Sequence, residues 1–140
     1  MDSKHDYSSN VSAMKQIADI DPQLAKELNK GSERAKKYHS NWKSVNINEV
    51  VDRFAPESTA YQKGGKIVFE NKDHTIAVVA DAAGGYLRIQ DLTVKTKRAL
   101  YLTLDGKYGH NVTVDGKTRG RTKEEYEVAT HFRIKKREEM

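Results

Sequence analysis

The stretch GKIVFENKDHTIAVVADAAGGYLRIQD at residues 65–91 decides the fold of this chain. Ile67 and Phe69 are two residues apart, and the same spacing of apolar residues recurs later in the stretch. A period of two is typical of strands with one buried face, and clusters of Asn, Asp and Gly separate the runs as tight turns require. The pattern continues to a last strand over residues 126–134. The sequence therefore predicts a twisted antiparallel β-sheet with one face on a helix.

Before residue 65 the apolar spacing changes to that of helices. Asp21-Pro22 is typical of a helix start, because Asp caps well and Pro is tolerated at the first helical position. Gly31 is expected to weaken or break this helix, at a cost of roughly 1 kcal/mol relative to Ala. The three predicted apolar stripes are Val11, Met14 and Ile17; Leu24, Leu28, Ala35, Tyr38 and Trp42; and Ile47, Val50, Val51 and Phe54. The predicted fold class is α+β, with N-terminal helices followed by the sheet.

The length of 140 residues suits one compact domain with a helical appendage. We expect an N-terminal helical segment over residues 1–44, acting as a linker or as the remnant of an entry region. Residues 45–140 are expected to form the functional domain.

Composition excludes several classes of chemistry. The chain has no cysteine, which excludes disulfides, thiolate metal sites and cysteine nucleophiles. Its five histidines lack metal-ligand spacing, so we expect no metal and no cofactor. No apolar run approaches the roughly 18 residues of a membrane span, and the first residues lack the apolar region of a secretory signal. We therefore expect no membrane contact and no export segment within this chain.

Positive charge is concentrated in the last third of the sequence. The chain carries 25 basic and 20 acidic residues, and residues 95–140 hold twelve of the basic and seven of the acidic ones. A basic surface of this kind is the electrostatic footprint of a protein that binds phosphate backbones. The alternative is a solvated face with no ligand, since lysine-rich surfaces are common.

Strand alternation also sorts the polar side chains by face. His131 and Arg133 lie opposite the apolar side chains of the predicted last strand, as Tyr86 and Arg88 do in theirs. If both strands belong to one sheet, the four side chains share its exposed face and form an anion site with a proton-transferring histidine. The alternatives are an exposed His131 without a role and arginines paired with glutamates across strands. His110, in a glycine-rich loop, is the alternative catalytic histidine.

Five segments carry a resemblance to a known family. They are VNINEVVDRFAP at residues 45–56, GKIVFE at 65–70, GGYLRIQD at 84–91, YLTLDGK at 101–107 and THFRIKKREEM at 130–140. In this order they resemble the C-terminal toxin domains of bacterial polymorphic toxins, including contact-dependent growth inhibition effectors. Such toxins look like ribonucleases of the barnase/EndoU/colicin/RelE group, with N-terminal helices before a twisted antiparallel sheet. The resemblance rests on several segments in order and covers residues 45–140.

The resemblance implies an antibacterial ribonuclease delivered into the target bacterial cytoplasm. The implied reaction is metal-independent cleavage of RNA, above all tRNA, by attack of the 2′-OH on the adjacent phosphate. The implied partners are a cognate immunity protein and translation elongation factor Tu. The implied catalytic residues are His131 for proton transfer, Arg88 and Arg133 for the phosphate, Tyr86 for the nucleotide and Thr130 for the scissile group. The side chains implied to follow the RNA backbone are Lys95, Lys97, Arg98, Lys135 and Lys136.

Two other function classes remain open from the sequence. The same basic sheet would serve a non-catalytic RNA-binding module, although its aromatic platform would be thin. A protein-interaction domain that binds an acidic partner would use the same charge.

Overall fold

The computed structural model describes residues 7–18, 21–94, 98–136 and 139 of the chain. Its helices are α1 (Ser8–Ala18), α2 (Pro22–Tyr38), α3 (Ile47–Phe54) and α4 (Lys123–Thr130), with a 3-10 turn at His39–Asn41. Its strands are β1 (Lys43–Val45), β2 (Thr59–Lys63), β3 (Lys66–Glu70), β4 (Ile76–Asp81), β5 (Tyr86–Asp91), β6 (Leu100–Leu102), β7 (Asn111–Val114), β8 (Lys117–Gly120) and β9 (Phe132–Ile134). The predicted α+β class, with helices before a mostly antiparallel sheet, is confirmed. Across the described residues, no helix is both long and apolar enough to cross a bilayer.

Seven strands form the main sheet, in the order β1-β9-β5-β4-β3-β2, with β6 paired to the far end of β5. The segment from β2 to β5 is the predicted antiparallel meander. β9 pairs in parallel with β1 and antiparallel with β5, so it lies inside the sheet although it follows the other strands in the chain. Strands β7 and β8 form a separate, largely exposed hairpin.

One apolar cluster joins the helices to the inner face of the sheet. α3 contributes the four residues of its predicted stripe, all buried, and its Asn46 cap accepts from the backbone N–H of Asn48 and Glu49. Such a cap stabilises a helix by about 1 kcal/mol. The cluster also includes Val11 of α1 and Leu28 of α2.

The predicted boundary after residue 44 therefore falls inside β1 and within this shared core. The described residues before Val45 are joined to the rest of the chain by packing and by strand pairing. Whether residues 45–140 fold alone stays a prediction, which a truncation at this boundary tests.

α2 continues without a break through Gly31, contrary to the expected weak point. A Cβ atom on Gly31 would lie 2.0–2.2 Å from the carboxylate atoms of Asp81. Gly31 is required because the helix crosses directly over the buried end of β4. The glycine weakens the helix locally but allows close packing against the sheet.

The predicted last strand over residues 126–134 is wrong in its first part. Residues 123–130 form α4, and only Phe132–Ile134 is a strand. The helix starts with a capping box: the Thr122 hydroxyl accepts from the Glu125 N–H, and the Glu125 carboxylate accepts from the Thr122 N–H. This reciprocal pairing favours a helix over the alternation that predicted a strand.

Candidate functional site

A row of polar side chains crosses the sheet on the face opposite the core. The strand register places Lys66, Asp81, Tyr86, Arg133 and Ser44 on adjacent strands, from β3 through β4, β5 and β9 to β1. Directly opposed residues point to the same face, so these five side chains form one row. Arg88 follows two residues after the tyrosine and lies on the same face.

The centre of this row is buried, in contrast to the exposed face that the sequence predicted. Asp81 is 4% exposed and Tyr86 is 2% exposed. The Asp81 carboxylate accepts from the Gly84 N–H at 2.9 Å, and Tyr86 Oη accepts from Arg34 Nη1 at 3.3 Å. Burial raises the pKa of the Asp81 carboxyl, although the Gly84 N–H and the Lys66 charge oppose the shift. Helix α2 therefore closes this end of the face to a ligand.

His131 is the largest difference from the predicted site. It ends α4, is 1% exposed, and stacks on the Trp42 ring with 5.1 Å between centroids and 13° between planes. The Tyr86 ring lies 5.3 Å away on another side. The expectation that His131 is exposed on a strand is wrong, because α4 places it at the turn into β9, under Trp42.

The Glu127 carbonyl oxygen favours one tautomer of His131. Nδ1 lies 3.0 Å from the Glu127 carbonyl oxygen, which can only accept, so Nδ1 carries the proton. Nε2 is then bare; it lies 3.3 Å from Glu127 Oε2, but neither atom has a hydrogen-bond partner among the described residues. Burial and the nearby charges of Arg88 and Arg34 lower the pKa of His131 to about 3. The imidazole is therefore neutral near pH 7, and the short approach to Glu127 is not an ion pair.

Thr130 is also enclosed, with no exposed surface. Its hydroxyl donates to the Tyr126 carbonyl oxygen at 2.7 Å, a bond back along α4, and lies 3.1 Å from His131 Nδ1. The two residues do lie together, as the resemblance implies. Their hydroxyl and imidazole face the protein interior, where no substrate phosphate can reach them.

Arg88 is partly accessible, on the part of this face that lies towards β6. Its guanidinium carbon lies 3.9 Å from the centroid of the Tyr101 ring, a cation–π contact. The side chain is half-buried, and the described part of the structure gives it no hydrogen bond. Its charge contributes to the lowered pKa values of Lys66 and His131, for both of which burial is the larger cause. Arg88 is thus close to the predicted site but faces Tyr101.

A groove of about 490 Å³ continues from Tyr101 along the start of α4. Two tyrosines and an exposed imidazole line it, and the His110 and Tyr126 rings lie 5.2 Å apart. Arg121 also lines it and donates to the carbonyl oxygens of Gly109 and Asn111, which fixes the loop carrying the histidine. We call this the His110 groove; its lining side chains are Arg98, Ala99, Tyr101, His110, Arg121, Thr122, Lys123 and Tyr126.

The remaining predicted phosphate ligands lie at two other places. Arg133 is half-buried and paired with Glu139, and Lys135 and Lys136 line a second groove beside it. Arg98 lines the His110 groove. Lys95 and Lys97 lie outside the described residues. The structure therefore divides the predicted RNA-binding set between two grooves.

Sequence reasoning missed most of the His110 groove. Arg121 and Lys123 are visible in the sequence only as part of the basic last third, and Tyr126 begins the predicted last strand, where the structure has α4. The capping box Thr122-x-x-Glu125 was the signal that could have found the helix. In the described ranges, no group of three or more His, Asp or Glu side chains is arranged to hold a metal ion.

Comparison of the chain with protein-family models, with curated proteins and with solved structures finds no match. The resemblance to toxin domains therefore stays a prediction.

Proposed function

We propose that this chain binds RNA at the His110 groove and cleaves it there without a metal. One observation carries the proposal: an exposed imidazole, two tyrosine rings and three cationic side chains line the same cavity in the described structure. Cations favour phosphate, and aromatic rings favour unpaired bases. The groove therefore combines cations for the RNA phosphates, aromatic rings for the bases and an imidazole for proton transfer.

The proposed reaction is intramolecular transesterification. His110 accepts the proton of a ribose 2′-OH as its oxygen bonds to phosphorus, and the bond from phosphorus to the 5′ oxygen breaks. The leaving oxygen takes a proton from the Tyr126 hydroxyl, whose pKa burial raises, so that the phenol is protonated at neutral pH. The products are a 2′,3′-cyclic phosphate and a 5′-OH, and the histidine then returns its proton to the phenolate. Arg121 and Lys123 stabilise the negative charge on the non-bridging oxygens.

The burial of His131 favours His110 for this role. A general base must reach the proton that it removes, directly or through one water. His131 is enclosed and neutral under Trp42, whereas His110 is exposed at the rim of the groove. Arg88 contacts the Tyr101 ring, which lines the groove, and adds positive potential there. The described structure gives the Arg88 guanidinium no hydrogen bond.

The wider biological setting is proposed from the resemblance. It comprises tRNA as substrate, delivery into a target bacterium, a neutralising immunity protein with a net-negative contact face, and elongation factor Tu as a host partner. The basic lining of the groove supports an acidic partner. Opposite charge speeds association, and the bound partner then occludes the site.

The test is cleavage of total tRNA by the purified chain in EDTA, followed on a denaturing gel with end-group analysis. We expect a 2′,3′-cyclic phosphate, and a loss of at least about 100-fold in rate for His110→Ala, the usual range for a general base. His74→Ala is the matched control, because His74 is also exposed but pairs with Glu70 at a different hairpin.

Three results would count against the proposal. If His110→Ala retains more than a tenth of the rate, about 1.4 kcal/mol in barrier, then His110 is not the proton acceptor. Activity lost in EDTA and restored by magnesium would exclude the metal-free reaction. Binding of RNA without any product would favour the non-catalytic module, which the same cations support.

A further inference from the structure

The Arg133 side chain is held in the geometry that a phosphate would use. Its Nη1 and Nη2 atoms donate to the two carboxylate oxygens of Glu139 at 3.1 and 2.6 Å. Its Nε atom donates to Ser44 Oγ at 2.8 Å, which fixes the orientation of the guanidinium. Two parallel bonds from one arginine fit carboxylate and phosphate equally well.

A backbone donor completes the same anion position. The Lys136 N–H donates to Glu139 Oε1 at 2.9 Å, and the Glu139 N–H donates to the Lys136 carbonyl oxygen. The carboxylate therefore receives three donors from two residues. Those donors lower the pKa of Glu139 to about 2, with the Arg133 bonds as the largest cause. The side chain of Glu139 thus occupies a formed oxyanion site as an ionised group.

A groove of about 640 Å³ opens directly beside this site. Arg133, Lys135 and Lys136 contribute to its wall, and the described lining contains no carboxylate. Ser8, Ser12 and the Gly84-Gly85 turn lie among the other lining residues and offer hydroxyl and backbone groups. The three cations of this wall suit a ligand that carries more than one phosphate.

We propose that a phosphodiester of bound RNA displaces the Glu139 carboxylate from the Arg133 fork and the Lys136 N–H. Lys135 and Lys136 then contact neighbouring phosphates along the groove. The Arg133 groove is a binding subsite separate from the His110 groove, and Glu139 is an internal competitor for it. The inference rests on the proposed function in taking RNA as the ligand, but it requires no cleavage.

The experiment measures binding of a short 2′-O-methyl RNA, which cannot undergo transesterification, at several salt concentrations. Glu139→Gln should tighten binding at least threefold and steepen the salt dependence by about one counterion, because the Arg133 charge becomes available. Glu49→Gln is the matched control, since it removes one negative charge from an exposed position on α3. Arg133→Lys combined with Glu139→Gln should lose the gain, because lysine keeps the charge but not the fork.

The outcomes separate this inference from the proposed function. Equal effects of Glu139→Gln and Glu49→Gln would overturn the displacement, as would the absence of RNA binding by both the original chain and Glu139→Gln. A gain that persists in the Arg133→Lys background would also overturn it. Tighter binding by Glu139→Gln in a chain that never cleaves RNA would leave the subsite standing while the proposed reaction fails. Thermal melts of each variant establish that the comparison is made between folded proteins.

Discussion

His131 and His110 both lie beside a tyrosine ring, yet they occupy opposite environments. His131 is 1% exposed, stacked on Trp42, with its Nδ1 proton held by a backbone carbonyl. His110 is exposed and lines a groove with cationic side chains. The difference teaches that proximity to arginine and tyrosine does not make a histidine a proton-transfer group; access to the reacting atom does. The buried imidazole acts in packing, and the exposed one is available for chemistry.

Of the changes considered, removing residues 1–43 should have the largest effect. The truncation removes Trp42, which covers His131, but keeps every residue that lines the His110 groove. The truncated chain loses Trp42 and several buried side chains of α1 and α2, each worth roughly 1.5–3 kcal/mol. Their sum is comparable with the whole stability of a domain, about 5–15 kcal/mol. We expect no cooperative thermal transition by circular dichroism. A truncated chain that melts cooperatively and cuts RNA would make residues 45–140 an independent domain.

Alanine at each histidine position should separate structure from activity. His131→Ala leaves a cavity under Trp42 and should cost about 3 kcal/mol in the free energy of unfolding. His110→Ala removes an exposed side chain and should stay within about 0.5 kcal/mol. Urea denaturation of both variants measures the difference. Equal losses of stability would mean that His131 is not a core residue.

Replacing each of two glycines by alanine compares a glycine packed against the buried face with a glycine beside the His110 groove. Gly31→Ala places a methyl group against the buried Asp81 carboxylate and should cost about 2 kcal/mol. Gly120, at the end of β8 and next to Arg121 of the His110 groove, has open space where its Cβ would lie. Gly120→Ala should therefore change stability by less than about 0.5 kcal/mol. A Gly31→Ala variant as stable as the original chain would contradict the close crossing of α2 over β4.

Acid should weaken the fold through the buried His131. The folded pKa of His131 is about 3, whereas an unfolded histidine titrates near 6.5. As pH falls below about 6.5, the unfolded chain gains a proton that the folded chain does not, so stability is lost with decreasing pH. The contribution is up to about 2 kcal/mol between pH 7 and pH 5. His131→Gln should flatten this loss, and identical pH profiles for the variant and the original chain would refute the assignment.

Local signals predicted α3 and the central strands. Both signals for α3 lie within one short segment, namely the Asn46 cap and the apolar spacing of Ile47, Val50, Val51 and Phe54. The helix is therefore predictable from its own residues. The alternation in β3, β4 and β5 is likewise local, and the predicted core positions on these strands are buried except for Ile76, which is half-buried.

The environment of His131 could not be predicted in this way. The alternation of apolar residues predicts an exposed strand at His131. The capping box that starts at Thr122, nine residues earlier in the chain, favours α4 instead. Trp42, which covers the imidazole, comes from a distant part of the chain and leaves no local signal. Glu139 was visible only as an acidic residue, since its pairing with Arg133 depends on how the chain turns after β9.

The position of β9 has a consequence for how the chain reaches its native state. Arg133 and Ser44 are 89 residues apart along the chain but are joined by a hydrogen bond across parallel strands. Closing a loop of this length costs conformational entropy before any contact compensates for it, so such pairings form slowly. During synthesis the edge of β5 that later receives β9 stays open until residues 132–134 leave the ribosome. The nascent protein therefore carries an open edge on β5 while residues 92–134 are synthesised, and the enclosure of His131 is among the last steps of folding.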